Sequence, residues 1–370
     1  MVVKIGTAVL TDERGRFDAL RFGRLCDELA EAAAERELVV VSSGAIALGL
    51  ERLGLERRPG DLPGKQAAAA VGQGALMQRY AEAMGKRGLA VGQILLTHED
   101  VADRQRYLNA RQTLAALLAQ RALPVINEND TVSVEEIQFG DNDALAGLVV
   151  GLCGAELLVL LSDVDGLYDR DPRDATAAAP AKLVAEVAEV TPEIEALAGG
   201  SRSGLGTGGM IAKVRAARLA AESGAVTVVA AGRRDGSLAA LLRGEPVGTV
   251  FGAPRLPLRA RQRWIAHALK PKGRLLVDAG AREALLRRGG SLLPSGLRAV
   301  EGDFGRGAAV EIAGEDGRPF ARGLAGYGAS ELSRLCGRKS GEIAGILGYK
   351  YLDEIVHRDD LILLEGGAAA

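Results

Sequence analysis

Residues 38–45 read Leu-Val-Val-Val-Ser-Ser-Gly-Ala. Four apolar residues in succession, three of them β-branched, describe a strand buried on both faces rather than one that alternates. Strands of this texture belong to parallel sheets with helices packed on either side. The run stops on two hydroxyl residues and a glycine, and a helical pattern follows. At such a junction free backbone N–H groups and the helix dipole attract an anion. A plain N-cap serine leaves the same pattern.

Working outward, Leu157–Ser162 repeats the apolar texture, and the spacing predicts further strands over Val2–Gly6, Val91–Leu96, Leu123–Asn127 and Val226–Ala231. Between them the pattern predicts helices over Asp18–Arg36, Lys65–Lys86, Arg104–Arg121, Asp141–Gly151, Gly209–Ser223 and Gly236–Leu242. Alternating strand and helix give an α/β fold, an open and mainly parallel sheet sandwiched by helices, with right-handed crossovers. Ligands in such folds sit outside the carboxyl ends of the strands. After Gly248 the composition shifts. Residues 253–270 carry Pro254, Pro257 and several arginines around Trp264 and read as a linker. Beyond them come short strands with glycine turns, at Arg274–Asp278, Leu297–Glu301, Ala308–Ile312 and Ala321–Gly323, and one helix, Ala281–Arg288. The organisation expected is residues 1–252, a linker 253–270, a small mixed β domain 271–349 and an extension 350–370.

The composition narrows the function classes. The chain has 370 residues, of which 48% are hydrophobic and 25% charged, at a net charge of -2. That is globular material without an overall basic character. Aromatics are 4%, too few for a base-stacking surface. Cys26, Cys153 and Cys336 lie far apart with no Cys-x-x-Cys, which argues against a zinc cluster or a disulfide framework and fits a reducing cytoplasm. No signal-peptide pattern and no apolar run long enough for a membrane span occurs. Three histidines leave little room for histidine-based catalysis.

Polar clusters recur where the strands end. Lys4 lies inside an apolar strand and is followed by Gly6, either as an edge lysine reaching solvent or as a cation meeting a phosphate. Asn127-Glu128-Asn129-Asp130 closes the fourth strand, and Gly140-Asp141-Asn142-Asp143 opens a helix. Two acid and amide clusters in those places suit an ammonium group and a metal-bound phosphate, although Asp141 also reads as an N-cap. Ser162-Asp163 and the turn Asp165-Gly166 end the fifth strand, as a nucleotide loop or a simple turn. Ser203-Gly-Leu-Gly-Thr-Gly-Gly-Met-Ile-Ala-Lys213 formally holds Gly-x-Gly-x-x-Gly, but no strand precedes it and no acid follows at the right distance, so the dinucleotide reading fails. The Gly-Lys-Ser/Thr ending of a Walker A loop is missing too. The segment reads as a glycine-rich lid leading into a helix with Lys213 one turn in. Two lysines, an acid and two glycine turns at one sheet edge describe phosphoryl transfer. A carboxylate acceptor, already ionised at pH 7, needs no base, which accords with the scarcity of histidine.

These motifs, with Asp103-Arg104 and Tyr107-Leu-Asn-Ala-Arg111, resemble the glutamate 5-kinase family of the amino-acid kinase superfamily. The resemblance spans essentially the whole chain. Leu292-Leu-Pro-Ser-Gly296, Gly302-Asp-Phe-Gly-Arg306-Gly307 and Ile346-Leu-Gly-Tyr349 resemble a PUA domain, a small mixed β barrel. The resemblance implies ATP-dependent formation of L-glutamyl 5-phosphate, the first step of proline synthesis. It implies Lys4 and Lys213 on the phosphates, Asp143 organising them, and Ser43, Asp130 and Asn142 binding glutamate. Lys4, Ser162 and Asp163, with Thr207, Gly208, Gly209, Met210, Ile211, Ala212 and Lys213, would hold ATP. Mg²⁺ would bridge phosphate oxygens with few protein ligands. Ser162 stands where threonine is common, and Ala212 where a hydroxyl residue often precedes the lysine. The resemblance also implies a homo-oligomer, dimer or tetramer, and inhibition by proline, sensed around residues 127–138. Carbamate, acetylglutamate, aspartate and uridylate kinases share the sheet, glycines and lysines but not the appended PUA domain. RNA binding by that domain is the rival of another class. Residues 271–349 hold 12 Lys/Arg against 9 Asp/Glu, a net of +3 and a weak footprint for nucleic acid.

Overall fold

The structure is a computed structural model, and it describes residues 1–133, 142–172, 180–199, 209–253 and 269–364. The chain divides into two compact units, Met1–Pro257 and Leu258–Ala370. Most of the expected linker, residues 254–268, and the terminal residues 365–370 lie outside the described residues.

The first unit opens with β1 (Val2–Ile5), α1 (Thr7–Leu10), α2 (Ala19–Glu35), β2 (Val39–Ser42), α3 (Ala45–Leu53) and α4 (Leu62–Gly85). It continues with β3 (Val91–Leu96), α5 (His98–Ala102), α6 (Arg104–Ala119), β4 (Leu123–Glu128), α7 (Asn142–Cys153) and β5 (Leu157–Ser162). Then come β6 (Glu186–Val187), α8 (Pro192–Gly199), α9 (Met210–Glu222), β7 (Val226–Ala231), α10 (Ser237–Leu242) and β8 (Thr249–Phe251). The eight strands form one sheet in the order β3-β4-β2-β1-β5-β7-β8-β6. Every pairing is parallel except that of β7 with β8, so the mainly parallel sheet expected from the sequence is the one observed.

Local chemistry explains the elements. All four residues of β1 and of β2 are buried, as strands covered on both faces require. Asp18 caps α2 by accepting from the Arg21 N–H, and Phe22, Leu25, Cys26, Leu29 and Ala32 form its buried stripe. α4 starts three residues before the expected Lys65, because Asp61 caps the Gly64 N–H and Pro63 occupies the first turn. α3 and α4 meet closely: a Cβ on Gly72 would lie 1.7 Å from the Ala45 carbonyl oxygen.

The second unit holds β9 (Gly273–Val277), α11 (Ala279–Arg288), β10 (Leu297–Glu301), β11 (Ala309–Ala313), β12 (Pro319–Leu324), α12 (Ala329–Leu335), α13 (Ile343–Leu347) and β13 (Leu361–Leu363). Its five-stranded sheet runs β10-β9-β11-β12-β13, and only β9 with β11 is parallel. Leu275, Ile312, Phe320, Tyr327 and Leu332 centre its core. Among the described residues no helix is long and apolar enough to cross a membrane.

Candidate active site

Strand register brings the polar clusters to one sheet edge. Lys4 pairs with Val41 of β2 and Leu160 of β5, and Val41 pairs with Ile126 of β4. One step further toward the carboxyl ends, Ser42, Asn127 and Leu161 line up; beyond them the chain leaves the sheet at Gly6 and Ser43, and β5 ends at Ser162, still paired with Ala231. β1 sits between β2, which leads away on one side, and β5, which leads away on the other. That is a topological switch point, where crossovers part and leave a crevice.

Three charged side chains meet there. Lys4 Nζ lies 2.6 Å from one carboxylate oxygen of Asp143, and Lys213 Nζ lies 3.1 Å from the other. Asp143 is 0% exposed, Lys4 4% and Lys213 6%, so the alternative of an edge lysine reaching solvent does not hold. Asp143 belongs to the first turn of α7 and Lys213 to the first turn of α9, two helices packed against each other. One carboxylate thus sets the positions of two ammonium groups delivered by a strand and a helix. A buried charge persists only when paired in this manner.

Ser43, Asn142 and Asn127 form a second group beside the first. The Asn142 amide nitrogen donates to Ser43 Oγ at 2.8 Å and to Asn127 Oδ1 at 2.9 Å. The Asn127 amide nitrogen donates to Gln73 Oε1 of α4 at 2.8 Å. Tyr80, also on α4 and fully buried, donates to Ser42 Oγ at 2.9 Å, and Ser42 in turn donates to the Ser43 carbonyl. Gly44, which caps α3, has φ +103, a conformation that side chains rarely adopt. Asp130 stands two residues past β4. Burial, with the like charge of Glu128 added, pushes its carboxyl up to about 6, against a weaker pull from Arg58.

On the other flank, Ser162 is buried and its hydroxyl donates to the exposed Asp163 carboxylate at 3.0 Å. Gly209 caps α9 without a side-chain bond, and Met210, Ile211 and Ala212 make the turn before Lys213. Thr207, Gly208 and the glycines Gly204 and Gly206 lie outside the described residues, as do Asp141 and residues 134–138 of the expected sensing loop. Among the described residues no three His, Cys, Asp or Glu gather as a metal-binding set.

The structure therefore brings together Lys4, Asp143 and Lys213, and joins Ser43 to Asn142. It adds Gln73, Tyr80 and a specific place for Asn127, none of which sequence reasoning assigned. One signal was available: Gly72 and Gly74 flank Gln73 inside a helical pattern, where each glycine costs about 1 kcal/mol and asks for a reason.

Residues 1–231 match the amino acid kinase family and residues 273–347 match the PUA domain. The chain is 58% identical over 364 residues to the glutamate 5-kinase of Myxococcus xanthus (strain DK1622), covering 98% of this chain and 96% of that one. It is 55% identical over 370 residues to the glutamate 5-kinase of Anaeromyxobacter dehalogenans (strain 2CP-C), covering 99% and 97%. Among solved structures, the T. acidophilum isopentenyl phosphate kinase product complex aligns with a TM-score of 0.47 at 16% identity, over 68% of this chain and 98% of that one.

Proposed function

The chain belongs to the amino acid kinase family, in its glutamate 5-kinase group, and from that premise we propose how its site works. The enzyme transfers the γ-phosphoryl group of ATP to the side-chain carboxylate of L-glutamate, giving L-glutamyl 5-phosphate for proline biosynthesis. The observation that carries the mechanism is Asp143 bridging Lys4 and Lys213 at the carboxyl edge of the sheet.

A glutamate carboxylate oxygen attacks the γ-phosphorus in line. The new P–O bond forms as the bond to the β-phosphate bridging oxygen breaks, and ADP departs with that electron pair. The acceptor is ionised near neutral pH, so no general base is needed. The barrier is electrostatic. Like charges about 4 Å apart at an effective dielectric near 20 repel by about 4 kcal/mol per pair. Lys4 and Lys213 would meet the transferred group and its bridging oxygens, with Asp143 fixing their spacing. Ser162, Asp163, the segment Thr207–Ala212 and the N–H groups opening α9 would hold the nucleotide. Ser43, Asn142 and Asp130 would hold glutamate. Asp143 is already engaged by two ammonium groups, and no other described acids gather around it. Mg²⁺ would enter with the nucleotide, as Mg-ATP, and would supply further positive charge to the phosphates.

The same reading places proline, a cyclised relative of glutamate, as a competitor at the glutamate side, and the enzyme as a cytoplasmic homo-oligomer. Its organisation would be a kinase domain over 1–252, a linker 253–270, a PUA domain 271–349 and an extension 350–370.

The test is ADP release from Mg-ATP with glutamate, acetylglutamate, aspartate, carbamate and UMP, with hydroxylamine present to trap acyl phosphate. Glutamate-dependent ADP with a hydroxamate product is expected. Turnover of a different acceptor would overturn the substrate. Lys213→Ala should lower kcat at least about 100-fold, the scale of one lost transition-state contact; full turnover in the folded variant would remove its assigned role.

A further inference from the structure

Gln73 is at the end of a chain of amides whose polarity is fixed from outside. The backbone N–H of Glu128 can only donate, and it does so to Asn127 Oδ1 at 2.9 Å. That contact decides which end of the Asn127 amide is oxygen. The nitrogen end therefore faces α4, where Gln73 must present its own oxygen, Oε1, at 2.8 Å. Asn127 Oδ1 has a second lone pair, and the Asn142 nitrogen fills it at 2.9 Å while reaching Ser43 Oγ at 2.8 Å. Asn142 is thereby turned so that its Oδ1 faces away from both partners, Ser43 and Asn127. That oxygen is buried and, among the described residues, has no hydrogen-bond partner. The other unpartnered buried atom of this group, among the described residues, is Gln73 Nε2 at the far end of the chain of amides; the Asn142 oxygen, next to Ser43, is the one placed to take a donor from a bound ligand.

We propose that Gln73 is a positioning residue for the amino-acid substrate. Acting through Asn127, it holds Asn142 Oδ1 toward the substrate's ammonium group. The inference rests on the reading of this pocket as the glutamate side. Gln73 itself touches none of the groups assigned to phosphate. Its own contribution is one acceptor, delivered at a fixed place because Gly72 lets α4 press against α3. Without that acceptor the Asn127 nitrogen, on a side chain only 3% exposed, is left unpaired. The Glu128 N–H still anchors the oxygen end, but the amide has lost one of its three hydrogen bonds, so its plane is held less firmly and Asn142, which it orients, is held less firmly with it.

Three substitutions test this by steady-state kinetics with each substrate varied in turn. Gln73→Met keeps the length and removes the acceptor. Gln73→Ser removes it by shortening and serves if the Met variant does not fold. Gln73→Glu keeps an acceptor oxygen facing Asn127. The KM for glutamate should rise about 10-fold or more in the Met and Ser variants, the scale of one buried group left unpaired, with the KM for ATP within about 2-fold. The Glu variant, which keeps the acceptor but adds a charge, should raise the glutamate KM less than the Met variant does, with the KM for ATP within about 3-fold of the parent. At one fixed glutamate concentration, its stabilising shift of the melting temperature should shrink in the Met variant while the shift by ATP is kept. Unchanged glutamate KM in both loss variants would overturn the inference, and so would equal rises for glutamate and ATP. Equal behaviour of the Glu and Met variants would do the same, because a packing role makes no distinction between them. If the parent enzyme itself turns over no glutamate, the functional reading falls first and this inference with it; normal parent turnover beside silent variants removes the inference alone.

Discussion

Asp130 holds a carboxyl that prefers its proton more than a solvent-exposed aspartate does, since burial and Glu128 push it up to about 6. A ligand ammonium would reverse that preference. Glutamate binding should therefore weaken as pH falls from 6.5 to 5, with the KM for ATP steady. Glutamate's own side-chain carboxyl titrates near 4.3 and does not confound that window. The stability sign is the opposite. The folded-state value lies above the unfolded one, so the stabilising contribution is complete below about 4 and is lost as pH rises through about 6. Asp130→Asn should thus raise stability at pH 7 by on the order of 2 kcal/mol, leave it unchanged near pH 3.5, and raise the glutamate KM. Melting curves at both pH values check the first part; an equal shift at both would refute the titration argument. Legibility at this scale follows cost. Lys4 stood out because a charge inside an apolar strand must have a partner, Asp143 because an acid and amide cluster opens its helix, and Lys213 because a glycine-rich segment leads into its own. Gln73 did not, because a polar side chain in a small-residue helix reads as a solvated face, and only the fold turns it toward Asn127.

At the scale of elements, α4 makes two predictions of opposite sign from glycines two residues apart. A Cβ at Gly72 would strike the Ala45 carbonyl oxygen at 1.7 Å and Gly49 N at 2.5 Å, whereas one at Gly74 meets nothing within 4 Å. Gly72→Ala must push α4 off α3 and should cost about 1–3 kcal/mol, displacing Gln73 and Tyr80 with the helix. Gly74→Ala should instead stabilise by about 0.4–1 kcal/mol, through a less flexible unfolded chain. Chemical denaturation of the two variants decides it, and the same sign for both would show that the α3–α4 contact yields easily. The sequence-derived bounds of β3, β5 and β7 agree with the structure to the residue; β5 and β7 are almost continuously apolar, and β3 keeps four apolar residues around Gly92 and Gln93. β6 and β8, of 2 and 3 residues, carry too little pattern to register. α5 left a clue, the capping box of Thr97 and Asp100, that its brevity concealed. β13 pairs with β12 from a segment that reads as a tail, because its three residues gain meaning only from the strand they meet.

At the scale of the molecule, the chain holds two hydrophobic cores built from separate stretches of sequence. One gathers Ile5, Phe22, Leu48, Tyr80 and Val159, and the other Leu275, Phe320, Tyr327 and Leu332. Each core draws only on its own unit. Every residue assigned here to ATP or glutamate belongs to the first. Ligands that bind only the folded state stabilise what they touch, by about 2.7 kcal/mol at a hundred times Kd. Calorimetry with and without Mg-ATP plus glutamate should therefore separate two transitions, of which one moves up by several degrees and the other stays. Trypsin protection followed by peptide mapping would assign the ligand-sensitive step to residues before 253. A single transition that moves as a whole would mean that the two cores unfold as one unit. In that case the second unit would contribute to the stability of the site despite supplying none of its side chains, and substitutions in the core around Phe320 would lower the melting temperature of the kinase unit. With separate transitions, the same substitutions should leave both the ligand-sensitive step and the glutamate KM where they were.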